Sequence, residues 1–520
     1  MKILLSQRVI LYAAILILLF SLALSVRADD ASGGYFNVRK FGATGDGTTL
    51  DTAFINKAID ACAQAGGGTV YFPAGTYLSG SIHLQSNVHL LIDAGATVLG
   101  APQNLNAYDE TEPWTNNPYQ DGGHCYFHNS LIWGVGLTNV FITGQGMING
   151  GGLERSDKLL DQMCGFAAWG KESSMNNGTY PPSRLGNKAI ALKLCRNVLI
   201  RDITIYHGGH FAILITGCDN TTVDNVTMDT DRDGIDIDCC RNTMVSNCRI
   251  NSPNDDGLCP KASFALGTNQ PTENLTIVNC QVTGYAVGTL LDGTEKPSRT
   301  ANGRFKCGTE SNGGFRNITL ANCTFRNCMG LALEEVDGGT LDNITINNVV
   351  MTDVKGYPIY ITLGNRNRGP GATTGSIRNI QISNVIATGV DKMSGIQITG
   401  VPGRDIENVR LDNVRIEYKG GGTSNDAAIN FKELDRGYPE PGKLGRTPAY
   451  GLFARHVRGL ELANLTLGFD TSDLRPAMIC SDVDGLEIDN FKGQAASGVQ
   501  LAKFAGDVKG LVVRNSPGLQ

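Results

Sequence analysis

A short phrase recurs along most of this chain: a charged residue, then asparagine, then alternating apolar residues rich in Val, Ile and Thr. It stands at Arg196-Asn197, Asp219-Asn220, Arg241-Asn242, Glu273-Asn274, Arg316-Asn317, Asp342-Asn343, Arg378-Asn379 and Glu407-Asn408. Related restarts follow at Arg458-Gly459, Asp484-Gly485 and Lys509-Gly510. The shortest spacings are 23, 22, 26, 29, 26 and 25 residues in chain order, and gaps such as 242 to 274 and 274 to 317 read as the same coil carrying inserted loops. Period-2 alternation in short runs means strands. Repetition at this interval means a solenoid whose units cannot bury a core alone. Equivalent strands stacked at about 4.8 Å build a parallel β-helix. An all-β, single-domain fold over residues 36–520 is therefore expected, rather than the three domains that a prior of roughly 150 residues each would suggest. Asp51 to Ala65 is the exception, a helical pattern near the N-terminus that reads as a capping helix.

Composition agrees. Glycine supplies 65 of 520 residues without a collagen period, against an average near ~7%, as turns in an all-β chain require. With 41% hydrophobic and 18% charged residues the chain holds enough apolar material for a large core, which excludes a disordered polymer. A formal charge of −6 argues against nucleic-acid binding, which needs a basic stripe.

Lys2 and Arg8 precede an apolar run from Val9 to Leu24, and Val26-Arg27-Ala28 fits a cleavage site. Residues 1–28 are thus read as a signal peptide, with an uncleaved membrane anchor as the alternative. Its removal leaves 41 Lys+Arg against 50 Asp+Glu, a charge of −9. No second apolar span of ~20 residues follows, so the expectation is a secreted or periplasmic monomer with no membrane contact after cleavage.

Fourteen cysteines in an exported chain suggest disulfides. Six occupy repeated slots instead: Cys195, Cys218 and Cys240 each precede a charged-Asn step, and Cys248, Cys280 and Cys323 each follow Asn. Buried thiols stacked coil on coil are expected there, with a Cys323–Cys328 bridge left open. No Cys/His cluster has zinc spacing. Eight Asn-x-Ser/Thr sequons, among them Asn225, Asn274, Asn317 and Asn343, mostly coincide with the repeat phrase, where Asn serves a turn; glycosylation is not implied.

Acids crowd one stretch: Asp229, Asp231, Asp233, Asp236 and Asp238, then Asp255-Asp256. The run from Asp229 to Gly234 resembles the opening of a calcium loop, but Cys240 stands where a bidentate Glu is required. Coil arithmetic is sharper. His210 to Asp233 and Asp233 to Asp256 are both 23 residues, which stacks the three side chains on one face with Asp255 beside the last. Carboxyls about one coil apart, roughly 5 Å before lateral offset, approach the spacing of the acid–base pair of inverting glycosidases. Crowded acids do not all ionise, so one member is expected to hold its proton. The alternative is a surface Asp ladder in turns. Arg304 and Lys306, at i and i+2, project to one face of the next strand, suited to a substrate carboxylate or to a solvated edge. Trp114, Trp133 and Trp169 fall in a loop-rich stretch, where stacking on sugars competes with packing. Asn365 to Pro370 is a basic loop placed to wall a cleft, and Gly420 to Pro448 is an insertion holding Tyr438-Pro-Glu-Pro.

These residues resemble those of glycoside hydrolase family 28, the polygalacturonases and rhamnogalacturonan hydrolases. Phe41-Gly-Ala-Thr-Gly-Asp-Gly and Gly66-Gly-Gly-Thr-Val-Tyr-Phe-Pro-Ala-Gly-Thr-Tyr are similar to that family's opening. Its Asn-Thr-Asp-Gly stands here as Asp231-Arg232-Asp233-Gly234, its Gly-Asp-Asp as Asn254-Asp255-Asp256, and its Arg-Ile-Lys as Arg304-Phe305-Lys306. The family's Gly-His-Gly is missing: no histidine lies between Asp256 and Arg304, and Gly284-Tyr285-Ala286-Val287-Gly288 occupies its place. Either His210 or Tyr285 then takes over. The resemblance covers roughly residues 36 to 490 and implies a right-handed, pectin-lyase-like β-helix and a divergent, exo-acting branch. It also implies that Asp255 is the general acid, that Asp233 and Asp256 activate water, and that Arg304 and Lys306 hold the substrate. The expected function is an inverting glycoside hydrolase of pectic polysaccharide or oligosaccharides, with no cofactor or metal, since carboxylates suffice. The alternatives are a calcium-dependent polysaccharide lyase and a non-catalytic carbohydrate-binding β-helix.

Overall fold

A computed structural model describes residues 34–112, 122–155, 184–392, 395–434, 436–440 and 444–519. The apolar leader, Trp114, Trp169 and Cys164 lie outside the described residues. A helix, α1 (Thr52–Gln64), buries Ile55, Ala58, Ile59 and Cys62 and packs on the first strands, as the pattern from Asp51 predicts. The solenoid then runs to the strand Val512–Arg514, and its strand ladders pair in parallel. Among the described residues no helix is long and apolar enough to cross a membrane.

One coil shows the plan. Strands β1 (Phe211–Thr216), β2 (Asp219–Asp224) and β3 (Thr227–Asp229) form three sides. They pair one coil later with β4 (Asp233–Asp238), β5 (Arg241–Ser246) and β6 (Arg249–Asn251). The first side continues through β7 (Leu258–Lys261) and β8 (Phe305–Cys307). Parallel strands joined this way take the right-handed crossover. Inward residues stack like on like: Ile213 on Ile235, Ile235 on Leu258, Leu258 on Phe305 and Phe305 on Leu331, all in one buried core. Truncating such a residue to Ala costs about 2–5 kcal/mol.

Asparagine makes the corners. Asn197, Asn220, Asn242, Asn274, Asn317 and Asn343 all adopt φ between 54° and 59°, the left-handed conformation that Asn tolerates better than other non-glycine residues. Amides then reach the asparagine one coil below, Asn274 donating to Asn242 at 3.1 Å, Asn317 to Asn274 at 3.0 Å and Asn343 to Asn317 at 3.2 Å, while Asn242 donates to Asp219 at 2.8 Å. A second ladder links Asn247, Asn279, Asn322 and Asn348. The repeat phrase is thus the chemical signature of two hydrogen-bonded corners. The longer gaps are insertions, as expected, because Arg241 pairs with Glu273 and Glu273 with Arg316.

The cysteine slots stack too. The pairs Arg196–Asp219 and Asp219–Arg241 place Cys195, Cys218 and Cys240 on successive coils, and Arg249–Gln281 and Gln281–Thr324 do the same for Cys248, Cys280 and Cys323. All thirteen described cysteines are free thiols, Cys323 and Cys328 included. Cys248 beside it, together with burial, pushes the Cys280 thiol up to about 12.

Two excursions leave the coil on the side of β4, β7 and β8. Residues 284–304 lie between the strand Gln281–Thr283 and β8, and residues 421–451 between the strands Ile406–Gly420 and Leu452–Thr471.

Candidate active site

Three consecutive coils bring the acids and cations together. β4 starts at Asp233, the turn into β7 carries Asp255 and Asp256, and Arg304 and Lys306 flank the first residue of β8. Backbone bonds lock the coils in register: Gly234 donates to the Asp256 carbonyl at 2.9 Å, and Gly257 to the Arg304 carbonyl at 3.0 Å. A side chain at residue 234 has no room, because its Cβ would stand 2.4 Å from the Gly257 carbonyl oxygen. The acid-glycine pair is therefore a packing requirement as well as a motif.

Asp256 is buried under both cations. Arg304 Nε lies 2.5 Å from Oδ1 and Lys306 Nζ 3.2 Å from Oδ2. Burial alone would raise its pKa; Arg304, Lys306 and Lys261 reverse that and hold the carboxyl well below the usual range. Asp233 goes the other way. Burial, the charge of Asp255 and that of Asp236 push it well above the ordinary value, with Lys261 and Arg232 only partly opposing. Its Oδ1 accepts from the Asp256 amide at 3.3 Å. The cluster thus sets a carboxyl pushed toward its protonated form, Asp233, beside one on the neighbouring coil held toward its ionised form, Asp256. Two acids with opposed environments are what acid–base chemistry needs.

Asp255 is the open member, its side chain 26% exposed against 1% for Asp256. Arg232 Nη2 donates to its Oδ2 at 2.8 Å and the Asp256 amide to its Oδ1 at 3.1 Å. Here the stacking differs from the 23-residue expectation. β1 and β4 pair Phe211 with Asp233, a 22-residue coil, so His210 faces Arg232 rather than Asp233. Arg232 Nη1 lies 2.7 Å from His210 Nδ1. His210 is buried and meets the acids through that guanidinium. Tyr285, the other candidate for the missing histidine, places its ring under Arg326 at 5.6 Å.

Asp229, Asp231 and Asp238 of the acidic run serve the fold. Asp229 accepts from Asn251, Leu290 and Leu291, Asp238 from Ser263, and Asp231 pairs with Arg155 and His207. Trp133 is a packing residue, its ring stacked on His128 at 4.1 Å and its Nε1 donating to Asp109 at 2.9 Å.

Two loops wall the cations. Arg366 and Arg368 of the basic loop pair with Asp337 and Glu310, and Glu310 also holds Lys261 at 3.0 Å. From the second excursion, the Tyr438 ring lies 5.5 Å from Lys306 Nζ and 5.7 Å from the Arg366 guanidinium. Glu440 reaches Arg304 Nη2 at 2.5 Å and Lys306 Nζ at 3.7 Å. Arg304 and Lys306 are thus buried and paired inside the chain. Arg232, Glu440 and Tyr438 were absent from the expected site. Arg232 is recoverable from a 22-residue coil count starting at His210; Glu440 and Tyr438 sit in an insertion with no periodic signal.

Crowded carboxyls of opposed environment on the side of a β-helix, walled by inserted loops, form the kind of arrangement that acid–base glycoside hydrolysis uses. Sequence comparison agrees. A family model described as glycosyl hydrolases family 28 matches residues 306–434, and one described as rhamnogalacturonase A/epimerase, pectate lyase-like, matches residues 35–259. The exo-poly-alpha-D-galacturonosidase of Dickeya chrysanthemi is 24% identical over 71% of this chain, which spans 65% of that relative's length. The exopolygalacturonase of Platanus acerifolia is 23% identical over 80% of this chain and 99% of its own length. The solved exopolygalacturonase of Thermotoga maritima superposes with a TM-score of 0.58 at 21% identity, covering 74% of this chain and 87% of its own, and shares the fold. The family 28 exopolygalacturonase of Yersinia enterocolitica does so with 0.58 at 18% identity, covering 93% and 79%. Over the matched residues the chain is similar to glycosyl hydrolases family 28, at an identity that fits a divergent relative, and the comparisons support a glycoside hydrolase.

Proposed function

We propose that the protein is an inverting, exo-acting hydrolase of pectic polysaccharide or its oligosaccharides, exported through residues 1–28 and active as a monomer. The carrying observation is the contrast between Asp233, pushed up by burial and by Asp255, and Asp256, held low by Arg304 and Lys306. Asp255, the member open to solvent, is the general acid that protonates the leaving glycosidic oxygen. Ionised Asp256 takes the proton of the attacking water, and the bond breaks with inversion. Arg232 positions Asp255, and His210 buttresses Arg232. Exo action is supported by the two excursions beside the site and by the named activities of the relatives.

The test is mass spectrometry of early products from polygalacturonan and rhamnogalacturonan oligosaccharides, with a chelator present. A saturated monosaccharide as the main early product is expected. Products one water lighter, or turnover only after calcium is restored, would make it a lyase and overturn the reading.

A further inference from the structure

The two cations beside Asp256 already have two carboxylates. Arg304 gives Nε to Asp256 at 2.5 Å and its two terminal nitrogens to Glu440, at 2.5 Å and 3.3 Å. Lys306 lies 3.2 Å from Asp256 and 3.7 Å from Glu440. Neighbouring cations are matched as well, Arg232 to Asp255 at 2.8 Å and Lys261 to Glu310 at 3.0 Å. Glu440 comes from the far side of the sequence, on an excursion whose Tyr438 hydroxyl also faces Lys306 at 3.4 Å. The Glu440 side chain keeps 25% exposure, so this carboxylate borders the open space in which a sugar would sit. An arginine fork gripping a carboxylate from two sides is how a protein binds a uronate. Here the chain's own residue fills the fork.

We propose that Glu440 sets the sugar specificity of this site. It acts as an internal stand-in for a substrate carboxylate, so the unit bound beside Arg304 and Lys306 is a neutral pyranose, such as a deoxyhexose or an esterified uronate, and not a free uronate. A second carboxylate brought to a cluster of two cations and two anions meets like charge where both cations are already paired, which is specificity by repulsion. This rests on the pectic hydrolase reading and narrows it.

The test uses D-galacturonate and its methyl ester as probes, titrated calorimetrically into the wild-type protein and Glu440→Gln. Glutamine keeps the shape and an acceptor oxygen but leaves one positive charge unmatched. Wild type is expected to bind the ester at least as well as the acid. Glu440→Gln should bind the acid at least about tenfold more tightly than wild type does, with the ester changed less than about threefold. A wild type that prefers the free acid, or a Glu440→Gln that gains nothing for it, overturns the proposal. If the variant fails to fold, the wild-type ranking alone decides. Turnover of matched free and methyl-esterified trigalacturonides separates the two readings. No cleavage of any pectic oligosaccharide removes the hydrolase reading, while the binding ranks still decide the role of Glu440.

Discussion

Arg232 Nη2 lies 2.8 Å from Asp255 Oδ2 while its Nη1 lies 2.7 Å from His210 Nδ1, so one guanidinium ties the exposed acid to a buried histidine two coils away. A planar fork serves two partners at fixed angles; an ammonium does not. Arg232→Ala is expected to lower kcat/KM about 10- to 100-fold, with each tenfold step worth about 1.4 kcal/mol, and to move the pH profile. Arg232→Lys should recover thermal stability but little of the rate. Equal recovery of both would reduce Arg232 to a structural role.

The asparagine ladder has its own cost of removal. Asn317 holds φ 55°, donates to Asn274 and accepts from Asn343. Asn317→Ala loses two exposed hydrogen bonds and puts a Cβ with no compensating polar group in the left-handed region, for about 1–2 kcal/mol together. Asn317→Gly should be milder, since glycine adopts that φ freely. Denaturant unfolding of both variants, with alanine the less stable, is the check.

Stability should fall with rising pH between acid and neutral conditions. Glu335 is fully buried, its Oε1 accepting from Gly338 and Gly339 at 3.1 Å and 2.9 Å. Burial first, then the charge of Asp337, pushes its carboxyl up from 4.5 to about 8; Glu334 rises to about 7 by burial. The folded chain then binds these protons more tightly than the unfolded one. Stability is full below about pH 4.5 and is lost as pH rises through 7 to 8. Glu335→Gln cannot ionise and should lose less melting temperature between pH 5 and pH 8 than wild type. Identical slopes would contradict this.

The thiols offer a count. Twelve of the thirteen described cysteines are buried and Cys125 is half-buried. A thiol reagent should label the native protein slowly, and at least thirteen groups should react after denaturation without reductant. A lower number would reveal bridges.

Much of this architecture is legible in the amino-acid order because a solenoid writes its geometry as a period. The Arg-Asn and Asp-Asn steps mark corners, and the spacing of Asp233 and Asp256 across a coil is read directly. At His210 the 23-residue spacing fails, because the coil between β1 and β4 has 22 residues. That single residue moves the histidine from Asp233 to Arg232. Pairing of Arg304 and Lys306 with Asp256 follows from register. Their pairing with Glu440 does not, because 136 residues separate Arg304 from Glu440 and the excursion carrying Glu440 has no repeat. Which acid holds its proton was equally hidden, since burial and neighbouring charge decide it.

The proposed reaction is acid–base hydrolysis by Asp233, Asp255 and Asp256. Its most direct test is proton NMR of the newly released anomeric centre during the first minutes of turnover, in parallel for wild type and Asp255→Asn. Wild type is expected to release first the anomer opposite to the substrate linkage, and Asp255→Asn to keep its fold and release none. Retention of configuration, or near wild-type release by Asp255→Asn, would contradict it.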